Sequence, residues 1–354
     1  MKESPLKHDC RAIAEYAAEL GLPGNTLMVT GSTGLIGSLI VKACAWHNQS
    51  HEKKIAVVAL ARDPEKVRTI YAEVMDEDGN IPNVQFLYQD ITQPIPRSID
   101  CDYIVHTANA TTSKFFLEKP AEVLDSIYTG TAQILQYAKD QKVRGVVYLS
   151  SMEVFGRVET EHRLGEKDLG YLDIQNVRSC YSEGKRVAEL MCKCYAAEYG
   201  VPVRVARLAQ TFGAGILPGE NRVFAQFARS AVRGQDIILH TQGKSVGNYC
   251  YTADAIRAIL LLLVQGESGE AYTVVNEQTS MAIADMAQMV AQEFSGGRSR
   301  VVLDIPEGNK FGYAPDSKMR LSSEKLRALG WKPQYGLKDM YQRMLAEIEY
   351  QLNG

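Results

Sequence analysis

The segment Thr26-Leu-Met-Val-Thr30 reads as a short buried strand and runs directly into Gly31-Ser-Thr33-Gly34-Leu35-Ile36-Gly37. An apolar run, Leu39-Ile40-Val41 with Ala43 beyond it, continues past the last glycine as a helix. Strand, glycine turn and helix in that order are what a dinucleotide site requires, and they leave few other folds open. Gly31 allows the tight turn, Gly34 lets the backbone approach a pyrophosphate, and Gly37 lets the helix pack close to the strand. The pyrophosphate then sits at the helix N-terminus, where free N–H groups and the dipole favour an anion. The whole turn, Thr33, Leu35 and Ile36 included, is expected to line the cofactor. The glycine spacing is three and three, where the commonest fingerprint has two and three.

More apolar strands come after it: Ile55 to Leu60, Val84 to Tyr88, Cys101 to Val105, and one within Val143 to Leu149. Continuous apolar strands alternating with helical stretches predict a parallel sheet covered on both faces. Ligands of such sheets bind at the carboxyl ends of the strands, so Asp90-Ile91, His106-Thr107-Ala108-Asn109 and Ser150-Ser151 should face one cleft with the glycine turn. The fold class is therefore α/β, a Rossmann-type doubly wound parallel sheet with a smaller C-terminal mixed α/β domain. Residues 1–25 read as a helical extension, with its helix over Ala12 to Leu20. Residues 26–212 read as the dinucleotide-binding domain. Residues 213–354 read mainly as a substrate domain, some of whose segments return to the main sheet. Helices are expected over Arg222 to Arg233 and Ala253 to Val264, with a strand over Ile237 to Leu239.

The 354 residues are enough for this architecture. A net charge of −3 gives no basic surface for nucleic acid. No run of eighteen apolar residues suggests a membrane span, and no signal peptide is read. Seven scattered cysteines suggest reduced thiols and a cytoplasmic location. Cys192 and Cys194 stand two apart on a helix and point in different directions, so no metal site is expected.

Tyr181 and Lys185 stand four apart in Cys-Tyr-Ser-Glu-Gly-Lys-Arg, thirty residues after Ser151. One helical turn puts phenol and ammonium on the same face. A nearby ammonium favours phenolate, so the pair is expected to lower a tyrosine pKa that is normally about 10. A tyrosine so tuned takes a proton from a hydroxyl as hydride leaves the same carbon.

With the three glycines, Asp90, the His106-Thr-Ala turn, Ser151, Tyr181-x-x-x-Lys185 and Arg207-Leu-Ala-Gln-Thr-Phe-Gly213, the chain resembles the extended short-chain dehydrogenase/reductase family. This is the group of nucleotide-sugar epimerases, dehydratases and decarboxylases, and the resemblance covers roughly residues 26 to 275. It implies a nucleotide-diphosphate sugar substrate oxidised at C4 to a 4-keto intermediate. Ser151 would hydrogen-bond the reacting hydroxyl and Tyr181 would take its proton. Lys185 would lower the tyrosine pKa and hold the nicotinamide ribose. Asp90, Ile91, Thr107 and Ala108 are implied cofactor contacts, and Asn109, Gln210, Arg222 and Lys244 implied substrate contacts. A homodimer is implied too, pairing helices over roughly residues 121–139 and 181–199.

The fate of the 4-keto sugar depends on Met152-Glu153. Met152 cannot donate a proton to a departing hydroxyl, which counts against a 4,6-dehydratase. Glu153 at the third place resembles the UDP-glucuronate decarboxylases, so epimerase and decarboxylase lead. A trailing 4,6-dehydratase, an NADPH-dependent 4-keto reductase and a non-catalytic cofactor-sensing protein are the alternatives. Three positions depart from the family: Ile127 and Gln210 replace asparagines, and Gly247 replaces an arginine that grips the diphosphate. Arg222 or Arg207 would take over that grip, since guanidinium binds phosphate as a fork. Cofactor choice is open between NAD and NADP. Arg62 after a small residue suits a 2′-phosphate, while Asp63 either binds the ribose of NAD or caps the helix begun by Pro64.

Overall fold

The computed structural model describes residues 4–109, 113–158, 160–217, 219–307 and 317–353. The first half contains α1 (Pro5–Glu19), β1 (Thr26–Thr30), α2 (Leu35–Ser50), β2 (Ala56–Ala61), α3 (Pro64–Tyr71), β3 (Val84–Tyr88), β4 (Tyr103–His106), α4 (Ser113–Glu118), α5 (Pro120–Gln141), β5 (Gly145–Ser151) and α6 (Ser179–Tyr199). Next come β6 (Val203–Leu208), β7 (Gln210–Phe212), α7 (Val223–Arg233), β8 (Ile237–Leu239), β9 (Val246–Gly247), β10 (Tyr249–Tyr251), α8 (Thr252–Gln265) and β11 (Ala271–Val274). The last are β12 (Met281–Ala282), α9 (Ile283–Phe294), β13 (Val301–Leu303), α10 (Glu324–Arg327) and α11 (Leu337–Asn353).

Seven strands form one parallel sheet in the order β11-β6-β5-β4-β1-β2-β3. The chain winds outward from β1 through β2 to β3, then crosses back to β4 on the other side. That reversal opens a crevice beyond the carboxyl ends of β1 and β4, where doubly wound sheets bind their ligands. Strand β1 is buried from Leu27 to Thr30, and β4 along its whole length. This is why both read as unbroken apolar runs. Helices α5 and α6 cover one face with Ile127, Ile134, Ala188 and Cys192. Helices α1, α2 and α8 cover the other with Ile13, Leu39, Ile40 and Ile259. Strand β11, from the C-terminal part of the chain, pairs with β6 at the sheet edge. The remaining short strands pair as β10 with β7, β9 with β12 and β8 with β13.

The first helix begins earlier than the sequence reading places it. Ser4 accepts a hydrogen bond from Lys7 N at 3.3 Å and Pro5 occupies the first turn, which together make a helix start. Its buried face carries Leu6, Cys10, Ile13 and Ala17, and also Asp9, only 1% exposed. The Asp9 carboxylate pairs with Arg343 of α11 and accepts the Tyr251 hydroxyl. Arg343 Nε reaches that same hydroxyl at 2.9 Å. Burial raises the Asp9 pKa, and Tyr251 and Arg343 pull it back. One buried cluster thus joins the N-terminal helix, the C-terminal helix and β10.

All seven cysteines are free thiols; Cys192 is buried and Cys194 exposed. No helix among the described residues is long and apolar enough to cross a membrane. Truncating one partner of a buried ion pair leaves a desolvated charge. Arg343→Leu is therefore expected to lower unfolding free energy by about 3 kcal/mol in urea denaturation. A loss no larger than that of an exposed arginine would show the cluster to be energetically idle.

Candidate active site

The glycine turn is built as its residues require. Gly31 has φ +64, and a methyl added there would lie 2.8 Å from Ala108 Cα and Thr107 Oγ1. One added at Gly37 would lie 2.5 Å from the Gly31 carbonyl oxygen. Buried Ser32 donates to the Leu60 carbonyl at 2.8 Å, tying the turn to the end of β2. Helix α2 begins at Gly34 with no side-chain cap, so its first N–H groups are left for a ligand. Ile36 is buried in the core behind the turn, while Thr33 and Leu35 are half-buried.

Across the crevice, Thr30 Oγ accepts from the Thr107 and Ala108 N–H groups at 3.1 and 3.2 Å. It lies 2.7 Å from His106 Nδ1. With its lone pairs so used, the Thr30 hydroxyl donates to His106, which fixes the proton of that ring on Nε2. Burial drives the His106 pKa down to about 3, with the Lys185 charge adding to it. His106 is thus a neutral brace. At the outer end of the crevice, Arg62 Nη1 lies 3.5 Å from Asp90 Oδ2. Asp90 accepts from Thr92 N and Oγ, and its pKa is lowered first by that backbone bond. Asp63 accepts from Glu65 N and Lys66 N, which is the helix-capping outcome. Ile91 is buried against Gly130 of α5.

The four candidate catalytic side chains meet at the end of β5. The Tyr181 ring stacks on Phe116 of α4 at 4.4 Å and is 7% exposed. The Ser151 hydroxyl acts on the phenol and favours its ionised form. It also accepts from Glu153 N at 3.2 Å, capping the short turn Met152–Phe155. Lys185 Nζ donates to the Leu149 carbonyl at 2.6 Å. The expected lowering of the tyrosine pKa does not follow from the protein alone. Burial raises the Tyr181 pKa well above the ordinary value, and the Glu153 carboxylate adds to the rise. Ser151, Arg222 and Arg178 act the other way. Lys185 is itself pulled down to about 7 by burial, so near neutral pH its charge is only part present.

Arg178 and Ser182 were not singled out from the sequence. Arg178 Nη1 and Nη2 donate to the two Glu153 oxygens at 3.0 and 3.2 Å, and Ser182 Oγ donates to Oε2 at 3.0 Å. Arg178 sits three residues before Tyr181, one turn away, a spacing that could have found it.

The substrate candidates scatter more widely. Arg222, at the start of α7, acts on the Tyr181 phenol and is forked to Glu220 at 3.0 and 2.6 Å. Among the described residues, both amide atoms of Asn109 are buried with no hydrogen-bond partner. Gln210 is half-buried in β7, and Lys244 is exposed before β9. The idea that Arg207 grips a diphosphate is corrected: its guanidinium is bound to Glu189 at 3.0 and 2.7 Å and to the Glu166 carbonyl at 2.7 Å. Gly247 has a steric reason, because a methyl there would lie 2.1 Å from the Tyr249 hydroxyl.

A family model described as the NAD dependent epimerase/dehydratase family matches residues 27–276. UDP-glucuronic acid decarboxylase 3 of Arabidopsis thaliana is 25% identical over 331 residues, covering 94% of this chain and 91% of its own. A UDP-glucose 4-epimerase of Thermotoga maritima, solved with UDP-glucose, superposes with TM-score 0.74 at 21% identity, covering 92% of this chain and 99% of that one. A UDP-glucuronic acid 4-epimerase of Bacillus cereus, solved with UDP-glucuronic acid and NAD, gives 0.75 at 19% identity, covering 92% and 99%. The two solved structures share this fold.

The buried lysine has a measurable signature. Its folded pKa, about 7, lies below the 10.5 of a free lysine, so the folded state binds fewer protons between those values. Stability contributed at this site therefore rises with pH through that window. Lys185→Met is expected to raise the melting temperature near pH 6–7, with the gain shrinking toward pH 9. A pH-independent gap would show that Lys185 titrates normally.

Proposed function

This chain belongs to the NAD-dependent epimerase/dehydratase family, and from that premise we propose that it oxidises C4 of a nucleotide-diphosphate uronic acid and releases carbon dioxide. The observation that carries the reading is Glu153, held by Arg178 and Ser182 within electrostatic reach of Tyr181. The decarboxylase relative supports it. Bound NAD would supply the hydride acceptor, on the crevice formed by the glycine turn and Thr107-Ala108. Arg62, the residue that suggested NADP, is paired with Asp90.

Ser151 orients the proton path from the sugar hydroxyl to the Tyr181 oxygen. The Arg178 and Arg222 charges favour the phenolate that must form, against burial and Glu153. Oxidation at C4 leaves a ketone β to the carboxylate. The C5–C6 bond then breaks with its electron pair entering the ketone as an enolate, and carbon dioxide leaves. A proton returns to C5, and hydride to C4. Arg222 is the proposed diphosphate anchor: both arginines are paired with a carboxylate, but the Arg222 side chain is 42% exposed and that of Arg207 only 5%, and position 247 has no side chain. Asn109, Gln210 and Lys244 are proposed further sugar and diphosphate contacts. A second reading, 4-epimerisation without carbon loss, draws on the same Arg178 pairing, which leaves Glu153 less free for proton transfer at C5.

We also propose a homodimer through α5 and α6. Leu124 and Tyr128 on α5 and Val187 and Leu190 on α6 are 43%, 53%, 42% and 63% exposed, an apolar face that a second copy would cover. Light scattering on Tyr128→Asp/Leu190→Asp should show a monomer where the wild type is a dimer; a monomeric wild type ends this proposal.

The activity is tested by incubating the protein with NAD and UDP-glucuronate and weighing the product. Loss of one carbon dioxide supports decarboxylation, and an isomer of unchanged mass supports epimerisation. Tyr181→Phe is expected to cut turnover by roughly 10²–10⁴-fold while leaving NADH affinity nearly intact. Undiminished turnover would remove Tyr181 from the mechanism.

A further inference from the structure

Tyr148 of β5 lies beneath Lys185 and has no part in the reaction derived above. Its ring centre is 4.6 Å from Lys185 Nζ, inside the roughly 6 Å over which the negative face of an aromatic ring attracts an ammonium. Tyr148 is 1% exposed and Lys185 2%, so water does little to weaken the attraction.

Other groups also surround Nζ. The Leu149 carbonyl takes one of its three N–H donors. The Tyr181 ring is more distant, at 5.8 Å. Glu189, one turn along α6, favours the ammonium, while its carboxylate is forked to Arg207 and makes no hydrogen bond to Nζ. Cys192 on the same helix is a buried thiol whose pKa burial raises, so it carries no charge near neutrality. His106 from β4 is neutral, packed against the Tyr148 ring at 5.5 Å.

We infer that Tyr148 is a positioning residue for Lys185: its ring face seats the ammonium against the Leu149 carbonyl and keeps it a cation beside Tyr181. This rests on reading Lys185 as the working cation of the site. The role belongs to the ring and not to the hydroxyl, because the phenol oxygen has no hydrogen-bond partner among the described residues. Thr131 of α5 acts on that phenol, yet neither oxygen closes a hydrogen bond.

The test tracks the Lys185 ionisation directly in the full-length protein, so it needs no sugar substrate. Lysine labelled with carbon-13 at Cε is titrated by NMR, and the Lys185 resonance is identified by its absence from Lys185→Met. Tyr148→Phe is expected to leave the midpoint within a few tenths of a pH unit of wild type. Tyr148→Leu is expected to lower it by about one unit, a tenfold change in the ionisation constant. Pentafluorophenylalanine at position 148 keeps the ring shape while removing its negative face, and should lower the midpoint as leucine does. That variant decides the matter should the leucine substitution unfold the protein. A midpoint unmoved by both replacements, or one that falls as far with phenylalanine, overturns the inference. NADH affinity, read by fluorescence across the same pH range, should weaken in parallel above the lowered midpoint. Failure to turn over UDP-glucuronate would remove the proposed activity and leave this result standing.

Discussion

One threonine hydroxyl holds the cleft in shape. Thr30 ends β1 where the strand order reverses, and its oxygen gathers Thr107 N, Ala108 N and His106 Nδ1 from the neighbouring strand. Thr107 Oγ answers by donating to the Thr30 carbonyl at 2.6 Å. The loops after β1 and β4 are therefore set against each other by hydrogen bonds that are buried or partly buried, which a lowered dielectric strengthens. Gly31 is required by the same closeness, since Ala108 occupies the space a side chain would need. Everything proposed for the cofactor depends on this seam staying closed.

The proposed catalytic corner sets desolvation against charge. Tyr181 and Lys185 are almost wholly buried, and burial favours the neutral form of each. A neutral tyrosine and a part-charged lysine are poor at moving a proton, so the surrounding groups must bias them. Arg178, Arg222 and Ser151 favour phenolate, and the Tyr148 face favours ammonium. Glu153 opposes the first of these, and Arg178, forked to it, acts the other way. The cost falls on stability, which is why the lysine should be replaceable by an apolar residue with a gain in folding free energy at neutral pH.

The strands were legible because a sheet covered on both faces leaves uninterrupted apolar runs, and the glycine turn because its geometry admits little else. Misplaced or missed features share a physical cause, namely partners remote in sequence. The apolar pattern predicts a later start for α1 than Pro5 because Asp9 breaks it, and the partner of Asp9, Arg343, lies 334 residues away. Arg207 looked available for phosphate because nothing local reveals Glu189 as its partner. The Tyr181 shift was assigned from the lysine four residues on, a local contact. Burial, a property of the whole fold, has the larger effect. Arg178 is one turn from Tyr181, but its meaning comes from Glu153, on a turn after another strand.

The departures at the substrate end are physically connected. Tyr249 fills the space at position 247, and its ring meets Phe212 edge-on at 5.8 Å. Phe212 stacks on Phe224 at 4.3 Å, and the Arg222 guanidinium lies 4.9 Å from the centre of the Phe224 ring. The side chain missing at 247 and the cation offered at 222 are thus two ends of one aromatic stack. An arginine placed at 247 would collide with Tyr249 before it could reach a ligand, and shrinking Tyr249 would loosen the packing that seats Arg222. The proposed diphosphate grip is therefore shaped around residue 222 and its partner Glu220. A ligand must compete with that carboxylate for the guanidinium, which favours a multiply charged anion over a single carboxylate.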